Sequence, residues 1–184
     1  MPHAILPPTE FRGLAGRLAT GVSVVVALVD GEPVATTAGS VVMASWEPPL
    51  LAVFFRTGSR MAAVLDRCGR FTVNILGETD PGLAHRFALP DREQGWAALS
   101  DVLVARPFPS PPILPAAIAL AECVVTQSLP TGDHRCYIGE VLDLERRGET
   151  APLLYYRGRL RGVGNAVAPP HWSAVDVGDL AADW

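Results

Sequence analysis

An antiparallel β-barrel with helical insertions is the mainly β fold that this sequence predicts, and three observations predict it. Short runs of β-branched and aromatic residues recur along the chain, among them "VSVVVALV", "LLAVFFR" and "RFTVNIL". Glycine, proline and aspartate punctuate them at close intervals, as turns between strands require. Only two or three stretches carry the period of a helix, so most apolar surface must be buried strand against strand. The 184 residues suffice for one domain with a real core. Residues 1–164 carry the patterned segments, and 165–184, "NAVAPPHWSAVDVGDLAADW", read as a C-terminal tail. That tail either reaches over a neighbouring subunit or stays mobile.

The first periodic segment is "TEFRGLAGRLATG". Thr9 can cap a short helix, Phe11, Leu14 and Leu18 share one face, and Gly21 ends it, which predicts a lid packed on the barrel. "VSVVVALVDGEPVATTA" is two strand-forming runs joined at Asp30-Gly31, a hairpin signal. "SVVMASW" and "LLAVFFR" are further strands, and Pro48-Pro49 between them marks a corner, since adjacent prolines cannot sit inside a central strand. In "TGSRMAAVLDRCG", Met61, Val64, Leu65 and Cys68 recur at helical spacing, with Ser59 as the cap and Gly69 as the stop. "RFTVNIL" alternates, putting Phe71, Val73 and Ile75 on one face and Thr72, Asn74 and Leu76 on the other. From Gly77 to about Arg106 the patterns are weak and no element is assigned. "PFPSPPILP" is a connector, after which "AIALAECVVTQSL", "HRCYIGEVLDLER", "APLLYY" and "RLRGVG" supply three or four more strands.

Charge and composition exclude several functions. A net charge of -4 without a basic block argues against nucleic acid as a partner. All 15 cationic side chains are arginine, which rules out a lysine Schiff base or a phosphate-loop lysine and leaves the planar guanidinium as the anion-binding group. The start "MPHAILPPTE" lacks a signal-peptide pattern and no apolar run is long enough to span a membrane, so a cytoplasmic protein is expected. Cys68, Cys123 and Cys136 have no metal-ligand spacing and read as reduced, mostly buried thiols; no metal site is expected.

The first chemical clue is the helix that begins after Ser59, because exposed backbone N–H groups and the helix dipole make such an end an anion site. Thr57, Ser59 and Arg60 would surround the anion, although a serine there can be a cap and nothing more. A second hydroxyl set, Thr36, Thr37, Ser40 and Ser45, lies in a segment expected beside "LLAVFFR".

With these motifs assembled, "TTAGSVVMASWEPPLLAVFF" followed by "SRMAAVLDRCGRFTVNIL" resembles the flavin reductase-like family, whose fold is an FMN-binding antiparallel split β-barrel. That family carries a Thr-Ala-Asn-Ser loop, a Ser-x-x-Pro-Pro corner and a Val-Asn-hydrophobic-Leu strand. Further similarity lies in "FRGLAGRLATGVSVVVA", "PILPAAIALAECVV", "GDHRCYIGEV" and "PLLYYRGRL", so the resemblance runs from about Phe11 to Val163. It implies that Thr37, Ala38 and Ser40 form the flavin-phosphate and ribityl loop, with Ser45 and Pro49 on the isoalloxazine side. It also implies that Ser59 and Arg60 complete the phosphate site and that Asn74 sits where strand backbone or side chain meets the pyrimidine edge of the ring, the alternative being an exposed strand asparagine. His134 would lie near the nicotinamide face as a positioning or hydrogen-bonding group. Tyr156, with Tyr155 and Arg157, either walls the pocket or packs as an aromatic core. Two positions depart from the pattern: Gly39 stands where asparagine is usual, and Leu160 where an aromatic residue often follows.

The implied activity is NAD(P)H-dependent flavin reduction, hydride passing from NADH or NADPH to FMN or FAD, in a homodimer that supplies reduced flavin to a partner monooxygenase. Two other readings use the same fold. One is a flavin- or haem-binding protein without nicotinamide turnover, and the other is a phosphate-ester oxidase of the pyridoxamine type.

Overall fold

A computed structural model describes residues 6–164. In chain order the elements are α1 (Pro8–Ala15), β1 (Thr20–Gly21), β2 (Ser23–Val29), β3 (Glu32–Ala38), β4 (Val41–Ser45), β5 (Leu50–Arg56) and α2 (Arg60–Cys68). Then come β6 (Arg70–Ile75), α3 (Pro81–Ala88), α4 (Trp96–Leu99), β7 (Ala119–Thr131), β8 (His134–Arg146), β9 (Leu154–Tyr156) and β10 (Arg159–Arg161). The fold is mainly antiparallel β, as expected.

Seven strands form the main sheet in the order β3-β2-β6-β7-β8-β5-β4. Its two edge strands, β3 and β4, are joined by Gly39 and Ser40 alone. Laid flat, seven strands would hold those edges about 29 Å apart, whereas so short a link reaches only about 10 Å. The sheet must therefore roll until its edges converge. A smaller sheet, β1-β9-β10, stands beside it.

Local sequence explains most of these elements. Asp30 (φ 52°) and Gly31 (φ 81°) make the two-residue turn that sets β2 against β3, with Val29 opposite Glu32. Ser59 Oγ accepts from the Ala62 N–H at 3.3 Å and Gly69 (φ 61°) closes the other end, so α2 has the predicted cap and stop. Its Met61 and Leu65 join Val25, Val53, Phe55, Phe71 and Tyr137 in one core. A second core lies on the other side of β2, where Val24, Val26 and Ala35 meet Ala84 and Phe87 of α3 and Leu99 of α4. β2 is thus buried on both faces, which is why its sequence is an unbroken apolar run. Gly139 in β8 is required by packing, because a Cβ there would lie 2.7 Å from Phe71 Cζ.

Three expectations are corrected. The first helix starts at Pro8 behind an N-cap Pro7, without a side-chain cap bond, and ends before Gly16, so Thr9 is not its cap. Proline at the first helical position sets φ and has no N–H to satisfy, which makes a capping hydroxyl unnecessary. Nor does its apolar stripe pack on the barrel: Phe11, Leu14 and Leu18 are 60, 65 and 69% exposed. The unassigned segment after Gly77 holds two short helices, α3 and α4. The tail 165–184 lies outside the described residues. No helix among the described residues is long and apolar enough to cross a membrane.

Candidate functional site

β3 organises the site because it is an edge strand whose outward backbone groups need partners. At Ala35 they find side chains: Gln94 Oε1 accepts from the Ala35 N–H at 2.7 Å, while Gln94 Nε2 and Arg92 Nε donate to Ala35 O at 3.1 and 2.9 Å. Arg92 is fixed further by donating from Nη1 to Leu89 O at 2.9 Å. Arg60, the first residue of α2, reaches the same place through a long contact from its Nη1 to Arg92 O, 3.5 Å. Burial, reinforced by the charge of Arg60, pushes the Arg92 guanidinium below its ordinary pKa. Neither arginine makes an ion pair among the described residues. Two guanidiniums without an ion pair, near the positive end of a helix, can attract an anion, although Asp91 and Glu93 line the same cleft as Arg92.

Thr37 lies two residues further along β3, on the same side as Ala35 and about 7 Å away. Its Oγ1 donates to Ala84 O at 2.7 Å and so pins α3 to the strand. Beyond that bond opens a cavity of about 470 Å³ between α3 and the β9–β10 hairpin. Ala84 and Ala88 form one wall, Tyr155 and Leu160 the other, and His85 and Thr37 bring the polar groups. Small residues keep the slot open: Gly39 belongs to its lining, and a Cβ there would stand 3.1 Å from Thr20 Oγ1. The asparagine expected from the resemblance would crowd that contact.

His134 comes to the arginine end. It stands opposite Arg56 in the β5–β8 ladder, and the Thr57 N–H donates to Asp133 O at 2.9 Å, tying its turn to the start of α2. Asp133 Oδ1 lies 2.7 Å from His134 Nδ1, and the hydrogen bond with the imidazole holds the carboxyl below its usual range. With Nδ1 so engaged, Nε2 is the nitrogen free to meet a ligand.

The sequence-predicted residues therefore divide. Thr37 lines the slot, Ser59 and Arg60 stand at the arginine socket, and His134 is their neighbour. Ser40 is close by, but its Oγ donates to Phe54 O at 3.1 Å, and the Ala38 side chain is core, 5% exposed. Ser45 and Pro49 sit at the far end of the β4–β5 hairpin, roughly 13 Å of strand rise beyond Val41; this chain does not bring them to the slot.

Asn74 is corrected outright. It is fully buried, donating from Nδ2 to Val24 O and Thr72 Oγ1, both at 3.1 Å, and accepting from the Leu114 N–H at 2.9 Å. Every polar atom is spent inside, so it pins the proline-rich connector and has nothing left for a ring edge. Tyr156 is corrected by strand alternation: its neighbour Tyr155 lines the slot, while Tyr156 faces the other way under the Arg157 guanidinium, 5.4 Å from ring centroid to Cζ. Sequence reasoning missed Arg92, Ala84 and His85, all within the segment too weakly patterned to assign. The available signal was the local composition "AHRFALPDRE", with one histidine and two arginines near two alanines at helical spacing.

Comparison with known proteins gives a consistent picture. The model of the flavin reductase like domain matches residues 15–164. The reductase component of 4-nitrophenol 4-monooxygenase/4-nitrocatechol 2-monooxygenase from Rhodococcus opacus is 36% identical over 162 residues, covering 86% of this chain and 84% of the relative. An NADH-dependent FMN reductase of Streptomyces nodosus subsp. asukaensis is 34% identical over 151 residues, 82% of each chain. Among solved structures, the flavin reductase component of a bacterial two-component tryptophan halogenase superposes with a TM-score of 0.80 at 28% identity, covering 87% of this chain and all of that one.

Proposed function

Because this chain belongs to the flavin reductase-like family and is an NAD(P)H:flavin oxidoreductase, we propose that it reduces FMN or FAD in the slot beside β3 and passes the product to a separate monooxygenase. One observation carries this assignment of the site. An apolar slot and an arginine pair that makes no ion pair among the described residues lie on one strand edge, matching a molecule that is a flat ring at one end and a phosphate at the other.

When bound, flavin would supply the redox chemistry as the acceptor of hydride from the reduced nicotinamide. The chain's own residues bind and orient. Arg60, Arg92 and the first N–H groups of α2 hold the phosphate; Ser59 keeps that helix end in shape. Ala84, Ala88, Tyr155 and Leu160 flank the ring and exclude water. His134, its Nδ1–H held by Asp133, offers Nε2 as an acceptor to the carboxamide N–H of the nicotinamide. Holding both rings face to face is the chain's main catalytic contribution.

A second copy of the chain completes the assembly in this reading. The outer groove of the sheet, about 380 Å³, is lined by Val42, Met43, Ile75 and Leu144, and α1 leaves its apolar stripe uncovered. Contiguous exposed apolar surface of this kind is buried in stable homodimers. Met43→Asp with Leu144→Asp should convert a dimer into a monomer by light scattering. A cytoplasmic location accords with three free thiols.

The functional test is NADH and NADPH oxidation by flavin-stripped protein while FMN, then FAD, is titrated in. Saturable flavin-dependent oxidation supports the reading and identifies the preferred pair. Flavin binding without oxidation of either nicotinamide would overturn it.

A further inference from the structure

The helix α1 is short and bare. Every residue from Thr9 to Ala15 is exposed, and its apolar stripe of Phe11 and Leu14, continued by Leu18, is 60, 65 and 69% exposed. Isolated helices shorter than about a dozen residues are marginal in water, and their stability in proteins comes from burying an apolar face. An eight-residue helix of this kind therefore needs a cover. It is fastened to the β9–β10 hairpin by the Arg157 N–H, which donates to Gly16 O at 3.1 Å.

The surface around the stripe is cationic. Arg12 lies within the helix and Arg17 just after it, while Arg157, Arg159 and Arg161 follow on the hairpin; all are exposed. None of them makes an ion pair among the described residues. Glu10 is the acid of α1 itself.

The same chain holds a segment of complementary chemistry. Residues 165–184 include Trp172, Val175, Val177, Leu180 and Trp184, and their acids, Asp176, Asp179 and Asp183, are accompanied by no arginine or lysine. Residues 1–5, the other stretch outside the described residues, contain no acid. Reach is no obstacle. Gly164 is seven residues beyond Arg157 and so lies within about 30 Å of the end of α1, whereas residues 165–184 can extend about 65 Å. Tethering this close gives a segment of the same chain a high effective concentration at the helix.

We propose that residues 165–184 fold back over α1, their large apolar side chains covering Phe11, Leu14 and Leu18 and their aspartates facing the surrounding arginines. The sheet groove is left for a second copy. Because the hairpin tied to α1 supplies Tyr155 and Leu160, the docked segment braces that wall of the slot. This inference does not depend on what the slot binds.

The test is amide hydrogen exchange of the full chain, followed in the peptides that contain residues 9–18. Wild-type α1 should be protected. Reversing the three acids, Asp176→Arg with Asp179→Arg and Asp183→Arg, should speed its exchange about tenfold, the combined worth of three exposed pairs. Adding Arg12→Asp and Arg17→Asp to that chain should restore protection. Trp172→Ser with Leu180→Ser should also speed exchange, while Val24–Val26 of β2, unchanged throughout, would report an intact barrel. Wild-type protection of α1 in either tail variant overturns the proposal, as does an unprotected helix in the wild-type chain. A charge swap that repairs nothing overturns it as well. Protection that survives the tail variants but falls on dilution would give the stripe to a second copy instead.

Discussion

Two sets of arginines in this protein contrast scaffold with candidate site. Arg70 and Arg106 grip the same carboxylate, Glu122, whose side chain is 5% exposed, and Arg106 extends the network to Asp143. These cations join β6, β7 and β8, and their charges are neutralised within the fold. Arg60, Arg92, Arg12 and Arg157 make no ion pair among the described residues, and Arg92, Arg12 and Arg157 line open clefts. Since all positive side chains here are arginine, residue type alone does not distinguish the groups; partnership and position in the fold together do. A buried carboxylate between two guanidiniums stabilises a sheet, whereas unopposed guanidiniums destabilise slightly until an anion arrives.

The largest effect should come from breaking the scaffold population. Glu122→Gln keeps the shape and removes the charge, leaving two partly buried cations to repel, and should cost about 3 kcal/mol in urea unfolding. Flavin affinity should be untouched; a loss there would blur the contrast. Tyr137 supplies a second scaffold bond, its hydroxyl lying 3.0 Å from both Ala62 O and Asp66 Oδ1. Tyr137→Phe should cost ~1 kcal/mol.

The same tyrosine predicts a pH limit. Burial, then the bond to Asp66, pushes its pKa up to about 12, and burial pushes Cys123 to about 12 as well. Both groups hold their protons more tightly folded than unfolded. Stability from them is therefore complete below the unfolded values, near 10 for Tyr and about 8.5 for Cys, and is lost as pH rises toward 12. Unfolding midpoints measured across that range should fall, and Tyr137→Phe should flatten the upper part of the decline.

On the site side, His134→Ala should lower the rate of nicotinamide oxidation about tenfold, the worth of one hydrogen bond, with flavin affinity nearly constant. Stopped-flow reduction and flavin titration separate the two, and equal losses would return His134 to a structural role. The smallest effect belongs to Arg67→Ala. Its pair with Asp30 is more than half exposed at both ends, so thermal unfolding should shift by less than about 0.5 kcal/mol.

Scaffold and site also differed in how far the sequence disclosed them. Asp30-Gly31, Ser59 and Gly69 are residues whose backbone preferences act locally, and the hairpin and helix they specify appear as read. The slot is another matter. Its wall, α3, buries only Ala84 and Phe87, too sparse a stripe to announce a helix, yet it carries His85 and precedes the loop of Arg92. Asn74 shows the converse error. Alternation along β6 correctly separated two faces, but it could not reveal that a connector folds over the second face and consumes the amide. The choice between Tyr155 and Tyr156 depended on one residue of register, which the pairing with β10 fixes and composition does not.

The most direct test of the central claim is an FMN titration of Arg60→Ala combined with Arg92→Ala, run beside urea unfolding of the same protein. The account predicts flavin affinity weakened by roughly 2 to 4 kcal/mol, exceeding a stability loss of about 1 kcal/mol from the Arg92 bonds to Ala35 O and Leu89 O. Wild-type flavin affinity in the double variant, or a loss of affinity matched by a loss of stability, would contradict it.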